Sequence, residues 1–167
     1  MVEETKNFQI KTSDGKIFSV DEDLIKISKT LSSLIEDLDD IAEPIPLDSI
    51  SGETFEMIIE FLKHHKDDYR VFDEQEWFKE NEELPEWDQE FLPGETNLKS
   101  MFSLITATNY LDIKSLLNMS CAYIANIIKS KEPEDIKKIF GIEGEFSKEE
   151  IDAVQKEHPW LLDDPSE

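Results

Sequence analysis

The sequence predicts an α+β fold with few strands and many helices, on three observations. Two short alternating apolar segments flank Asp14-Gly15 near the start. A brief extended stretch, Ile45 to Leu47, is set off by Pro44 and Pro46. Apolar residues at helical spacing fill most of the remaining chain. No internal repeat is evident.

Taking the elements in order, residues 6–20 read KNFQIKTSDGKIFSV. Phe8 and Ile10 alternate with polar neighbours, as do Phe18 and Val20, and Asp14-Gly15 between them wants a left-handed backbone, so a hairpin is predicted. Asp21 is placed to cap a short helix. Leu31, Leu34, Ile35 and Leu38 then share one helical face. The prolines interrupt that pattern and leave Ile45 and Leu47 as a strand that tolerates proline. Ser51 caps the next helix, with Ile50 and Phe55 as a hydrophobic staple across the cap. Phe55, Ile58, Ile59 and Leu62 form its apolar face, and it runs out near His64-His65-Lys66. Residues 67–90 carry eleven acids and two bases with no sustained period, which predicts a solvated acidic loop. Its Tyr69, Phe72, Trp77 and Phe78 are more aromatic than a linker requires.

Helical spacing returns at Leu98 and continues through Met101, Phe102, Leu104 and Ile105 to Tyr110. Asp112 is the expected cap of a long helix carrying Ile113, Leu116, Leu117, Met119, Cys121, Ile124, Ile127 and Ile128. Apolar residues on several of its sides predict a central helix, with Cys121 in the core. Pro133 starts a further helix with Glu134 and Asp135 in its first turn, and Gly141 ends it. Ser147 and Glu150 form a capping box, with Phe146 and Ile151 as its staple. The last helix closes near His158-Pro159-Trp160.

At 167 residues the chain suffices for one ordinary domain with appended elements. Seventeen bases against forty acids give a net charge of −23, a field that repels nucleic acid and anionic lipid. The same charge keeps a sticky surface soluble or attracts a basic partner, and composition does not separate the two. The single arginine, Arg70, argues against phosphate recognition. One cysteine excludes an internal disulfide and a cysteine zinc cluster. No apolar run approaches a membrane span and Met1–Lys11 lacks a signal-peptide core, so a reducing cytoplasm or nucleus is expected.

Catalytic readings are weak. The adjacent His64 and His65 point in different directions and read as favourable charge at a helix end rather than as metal ligands. Cys121 has no visible source of a lowered pKa. There is no serine elbow, phosphate loop or calcium loop. No enzyme activity, cofactor or metal is expected.

Several stretches, in order, resemble the S-phase kinase-associated adaptor family of SCF ubiquitin ligases: IPLDSISGETFEMIIEFLKHHKDD at 45–68, WDQEF at 87–91, and NYLDIKSLLNMSCAYIANIIKSKEPEDIKKIFGIEGEFSKEEIDAVQKEHPW at 109–160. DGKIFSV at 14–20 fits in place. The resemblance implies a BTB/POZ fold, a small mixed sheet covered by helices, with extra C-terminal helices. It divides the chain into a BTB/POZ core at 1–111, an F-box-binding helical module at 112–160 and a tail at 161–167. Elongin C shares the core but ends about where the long helix ends, whereas this chain continues to Trp160. Lys148 stands where some members carry a modified proline, so that modification is not expected.

The resemblance further implies a non-catalytic bridge between F-box proteins and a cullin, a heterodimer with the F-box protein, and self-association left open. Cullin contacts are expected at Phe102, Ile105, Asn109 and Tyr110. F-box contacts are expected at Leu116, Leu117, Ile124, Ile127, Ile128, Ile136, Phe140, Ile142 and Trp160. The plain alternative is that these residues form an internal core, and that Tyr110 is a core tyrosine. The functional alternatives are an elongin C-like adaptor, a homodimeric scaffold, and, on carboxylate abundance alone, a hydrolase.

Overall fold

The structure, a computed structural model, describes residues 6–36, 43–67, 84–94, 97–129, 131–144 and 147–157. The chain forms two compact units, Met1–Lys131 and Glu132–Glu167. By compactness the long helix falls in the first unit.

The predicted hairpin forms from β1 (Asn7–Thr12) and β2 (Ile17–Asp21), antiparallel, with Phe8 opposite Val20 and Ile10 opposite Phe18. Gly15 takes φ +80°, the left-handed position that the turn requires. β3 (Ile45–Leu47) pairs with β1 in parallel, giving the order β2-β1-β3. Pro46 thus sits on an edge strand, where its missing N–H costs no ladder bond.

Asp21 stands at the N-cap of α1 (Glu22–Ile25) with extended backbone, but its side chain makes no capping bond. Ser28 caps α2 (Lys29–Glu36) instead: its hydroxyl accepts the Leu31 N–H at 3.2 Å and donates to the Leu111 carbonyl at 2.6 Å. Leu31 is buried and Ile35 half-buried, while Leu34 of the same expected face is exposed. Leu38 lies outside the described residues.

In α3 (Gly52–His64), Ser51 Oγ accepts the Thr54 N–H at 3.3 Å, and both staple residues, Ile50 and Phe55, are buried. The Asp14 carboxylate accepts the Gly52 N–H at 3.0 Å. A Cβ on Gly52 would meet the Lys16 side chain at 2.5 Å and Asp14 Oδ2 at 2.9 Å, so a larger residue there would make these two turn side chains shift. The hydroxyl of Thr12, then the Gly52 N–H, hold the Asp14 carboxyl below the usual aspartate range.

The expected acidic loop is cut short by α4 (Glu86–Phe91), between the buried Leu84 and Leu92. Composition hid this helix because its few contacts are long-range. Asp88, counted among the solvated acids, is buried and hydrogen-bonded to His65 Nε2 at 2.8 Å. The His64 ring stacks on Trp87 at 3.7 Å, and Phe91 stacks on the same indole at 4.9 Å. The two histidines are therefore a packing surface and a buried hydrogen-bonding group rather than simple helix-end charge. Tyr69, Phe72, Trp77 and Phe78 lie outside the described residues.

α5 (Leu98–Tyr110) buries Leu98, Met101, Leu104, Ala107 and Thr108. At its end the Asp112 N–H donates to the Asn109 carbonyl and the Ile113 N–H to the Thr108 carbonyl, with Asp112 at φ +50°. Asp112 thus terminates α5 and does not cap α6 (Lys114–Lys129), contrary to the sequence-based expectation. α6 buries Leu116, Met119 and Ile127 but exposes Cys121, so the expectation of a core cysteine is wrong. Its apolar residues exceed what one buried face holds.

In the second unit α7 (Pro133–Phe140) starts with proline at its first turn and ends at Gly141, φ +61°. The Gly141 and Ile142 N–H groups donate to the Lys138 and Lys137 carbonyls. Glu132 at the N-cap makes no side-chain bond. The predicted capping box opens α8 (Lys148–Glu157): Ser147 Oγ accepts the Glu150 N–H at 3.2 Å, and Glu150 Oε2 accepts the Ser147 N–H at 2.8 Å. The Ser147 N–H first, then the Ser147 hydroxyl, which also donates to Glu150 Oε2 at 2.9 Å, draw the Glu150 carboxyl below its ordinary value. Phe146, the other half of the expected staple, lies outside the described residues.

Candidate protein-interaction interfaces

Among the described residues, the first unit carries a cleft of about 690 Å³ between α5, the start of α3 and the hairpin turn. Phe102, Thr106 and Tyr110, four residues apart, fall along one line of α5 and form one wall. Ile50, Ser51 and Thr54 form the opposite wall, and Ser13 and Ser49 flank it. The cleft is therefore aromatic and hydroxyl-rich.

Tyr110 is 50% exposed, so it is not a core tyrosine. Its backbone is nonetheless fixed: the Thr30 hydroxyl donates to the Tyr110 carbonyl at 2.9 Å, next to the Ser28 bond to Leu111. The α1–α2 junction thereby anchors the end of α5 from some eighty positions away in sequence. A large, rigid side chain with one polar tip on an anchored backbone loses little entropy on binding. Phe102 and Asn109 are likewise exposed. Ile105 is half-buried against the core and is not among the residues that line the cleft. The α5 wall was legible in the sequence, but Ser51 and Thr54 were not, because only the tertiary fold brings α3 beside α5; Lys99, on α5 itself, also lines the cleft.

The expected F-box contacts divide between the two units. On α6, Ile128 is exposed, Leu117 and Ile124 are half-buried, and Ile127 is buried. Leu116 is fully buried in the core of the first unit, which corrects its assignment as a contact: no part of it reaches the surface. In the second unit Ile136 and Phe140 are half-buried and Ile142 is exposed. Trp160 lies outside the described residues. Ile151 and Val154 of α8 are exposed as well, the latter at 51%. Single exposed apolar residues are ordinary; several on two successive short helices are not.

Two family models match the chain, and the second of them takes α6 together with α7 and α8. The model described as the Skp1 family tetramerisation domain matches residues 6–67, and that of the Skp1 family dimerisation domain matches residues 114–161. The chain belongs to the Skp1 family. Among Skp1-family relatives, it is 35% identical over 160 residues to the "E3 ubiquitin ligase complex SCF subunit sconC" of Aspergillus flavus, covering 95% of this chain and 98% of that one. It is 36% identical over 155 residues to the "Suppressor of kinetochore protein 1" of Schizosaccharomyces pombe, covering 91% and 95%. The Skp1-family matches thus take in both units, including the α7–α8 segment.

Proposed function

We propose that this chain is an adaptor subunit of an SCF-type E3 ubiquitin ligase, bridging F-box proteins to a cullin without catalysing a step itself. The observation that carries the reading is the second unit. Family membership covers it, α7 has no buried residue, and Ile142, Ile151 and Val154 stand in solvent. A partner's helices would complete a core there, and interfaces of that obligate kind bury more than roughly 2,000 Å². The cullin is assigned to the Phe102–Tyr110 cleft on the first unit, with Asn109 beside it and Ile105 behind. The F-box protein is assigned to Ile136, Phe140 and Ile142 on the second unit and, on the first unit taken by itself, to Leu117, Ile124 and Ile128 of α6. Two separate surfaces on one chain can hold two partners at once, which is the physical task of a bridge.

Mixing the full chain with an F-box segment and a cullin amino-terminal fragment is expected to give a ternary complex by size-exclusion chromatography. Truncation before Pro133 leaves the first unit whole and is expected to abolish F-box binding while sparing the cullin. A folded sample that forms no ternary complex, or a truncation that still holds the F-box segment, overturns the proposal.

A further inference from the structure

The cleft differs in charge from the rest of the molecule. The whole chain carries −23, yet among the described residues that line the cleft Lys99 is the only charged one. Lys99 lies in the first turn of α5, where the helix dipole disfavours a cation, and that turn holds no acid. Among the described residues it makes no ion pair, although acids outnumber bases forty to seventeen along the chain. Lys99 thus stands against its own helix dipole on a cleft that Phe102 and Tyr110 also line.

We infer that the cleft selects a partner surface presenting an apolar or aromatic side chain with a carboxylate beside it, the side chain entering between Phe102 and Thr54 and the carboxylate meeting Lys99. This rests on the cullin reading of the same cleft and adds the chemistry of the segment that enters. Net charge leaves open whether the chain attracts a basic partner, and the overall field steers approach, but contact at the cleft is set by the local cation.

The full chain and its variants are titrated with the cullin amino-terminal fragment at about 50 mM and about 500 mM salt, where screening differs several-fold in length. Lys99→Glu is expected to weaken binding about tenfold at low salt and about twofold at high salt, and Lys99→Gln about threefold at low salt. The Glu variant also suits the helix start, so its thermal stability should hold or rise while its affinity falls. Unchanged or tighter binding by Lys99→Glu overturns the inference, tighter binding meaning that a basic surface enters instead. Phe102→Ala and Tyr110→Ala separate the two levels. If they bind like the parent, the cullin reading of the cleft fails; if they lose affinity while Lys99→Glu does not, only the carboxylate does.

Discussion

Helix α3 buries Phe55, Ile58, Ile59, Phe61 and Leu62 within the first unit, while α7, with Ile136, Ile139 and Phe140 at similar spacing, buries none. Both are amphipathic and both start at a well-formed turn. The difference lies in what surrounds them. α3 has the sheet, α5 and the aromatic surface of α4 to receive its apolar face. Only two short helices are described in the second unit. Amphipathicity therefore reports that a face wants cover and leaves open whether the same chain supplies it. For an adaptor that distinction separates scaffold from interface.

The sharpest way to break this comparison is to cut apolar side chains on each side of it. Phe61→Ala removes a fully buried ring and is expected to cost about 3–5 kcal/mol in equilibrium urea denaturation. The double change Ile151→Ser with Val154→Ser removes exposed side chains and should leave stability within about 0.5 kcal/mol. The same pair is expected to weaken F-box binding at least tenfold, whereas a modestly destabilising core variant leaves that affinity intact at temperatures where it stays folded. Comparable stability losses from both sets would mean that α8 is packed as firmly as α3.

A smaller effect is expected at the His65–Asp88 hydrogen bond, where α4 docks on the end of α3. Both groups are nearly inaccessible, so His65→Ala strands a buried carboxyl and is expected to cost about 2–3 kcal/mol. Asp88→Asn keeps an acceptor facing the ring and should cost less than half of that. Equal losses for the two, or none for His65→Ala, would show that α4 is held by the Trp87 stack alone.

Legibility in the sequence tracks the range of the interactions. The Asp14-Gly15 hairpin, the Ile50–Phe55 staple, the Ser147–Glu150 capping box and the proline and glycine bounds of α7 are each decided within a few residues, and each formed as expected. α4 is hidden in an acidic window because a six-residue helix has too little period to outweigh composition. Its stabilising partners, His65 and the rings of His64 and Phe61, lie more than twenty residues upstream. Cys121 and Leu116 belong to a pattern that marks apolar positions without saying which of several sides faces the core. The α5 wall of the cleft is legible through resemblance, and its α3 wall is not, since nothing local links Thr54 to Tyr110. Asp112 misleads because an acid before an apolar run normally reads as a helix start, while here it is the left-handed residue that closes the preceding helix.

Asp112 also gives the finest comparison between the units. α5 and α7 end by the same pair of backbone bonds, one through Asp112 and the other through Gly141. Asp112 lies between Leu111 and Ile113, both fully buried, so the left-handed backbone there is imposed by the core. Gly141 lies between a half-buried Phe140 and an exposed Ile142, so its cap rests on glycine's own tolerance of positive φ. Asp112→Val should therefore cost about 1–2 kcal/mol of global stability, because the core compels a strained residue to keep its place. Gly141→Ala should cost about 1 kcal/mol locally, read as faster amide exchange across 137–140 with the urea midpoint of the first unit unmoved. If Gly141→Ala lowers that midpoint as Asp112→Val does, the end of α7 is held by more than its own turn. The face of the second unit would then be less free to meet a partner than its exposed residues indicate.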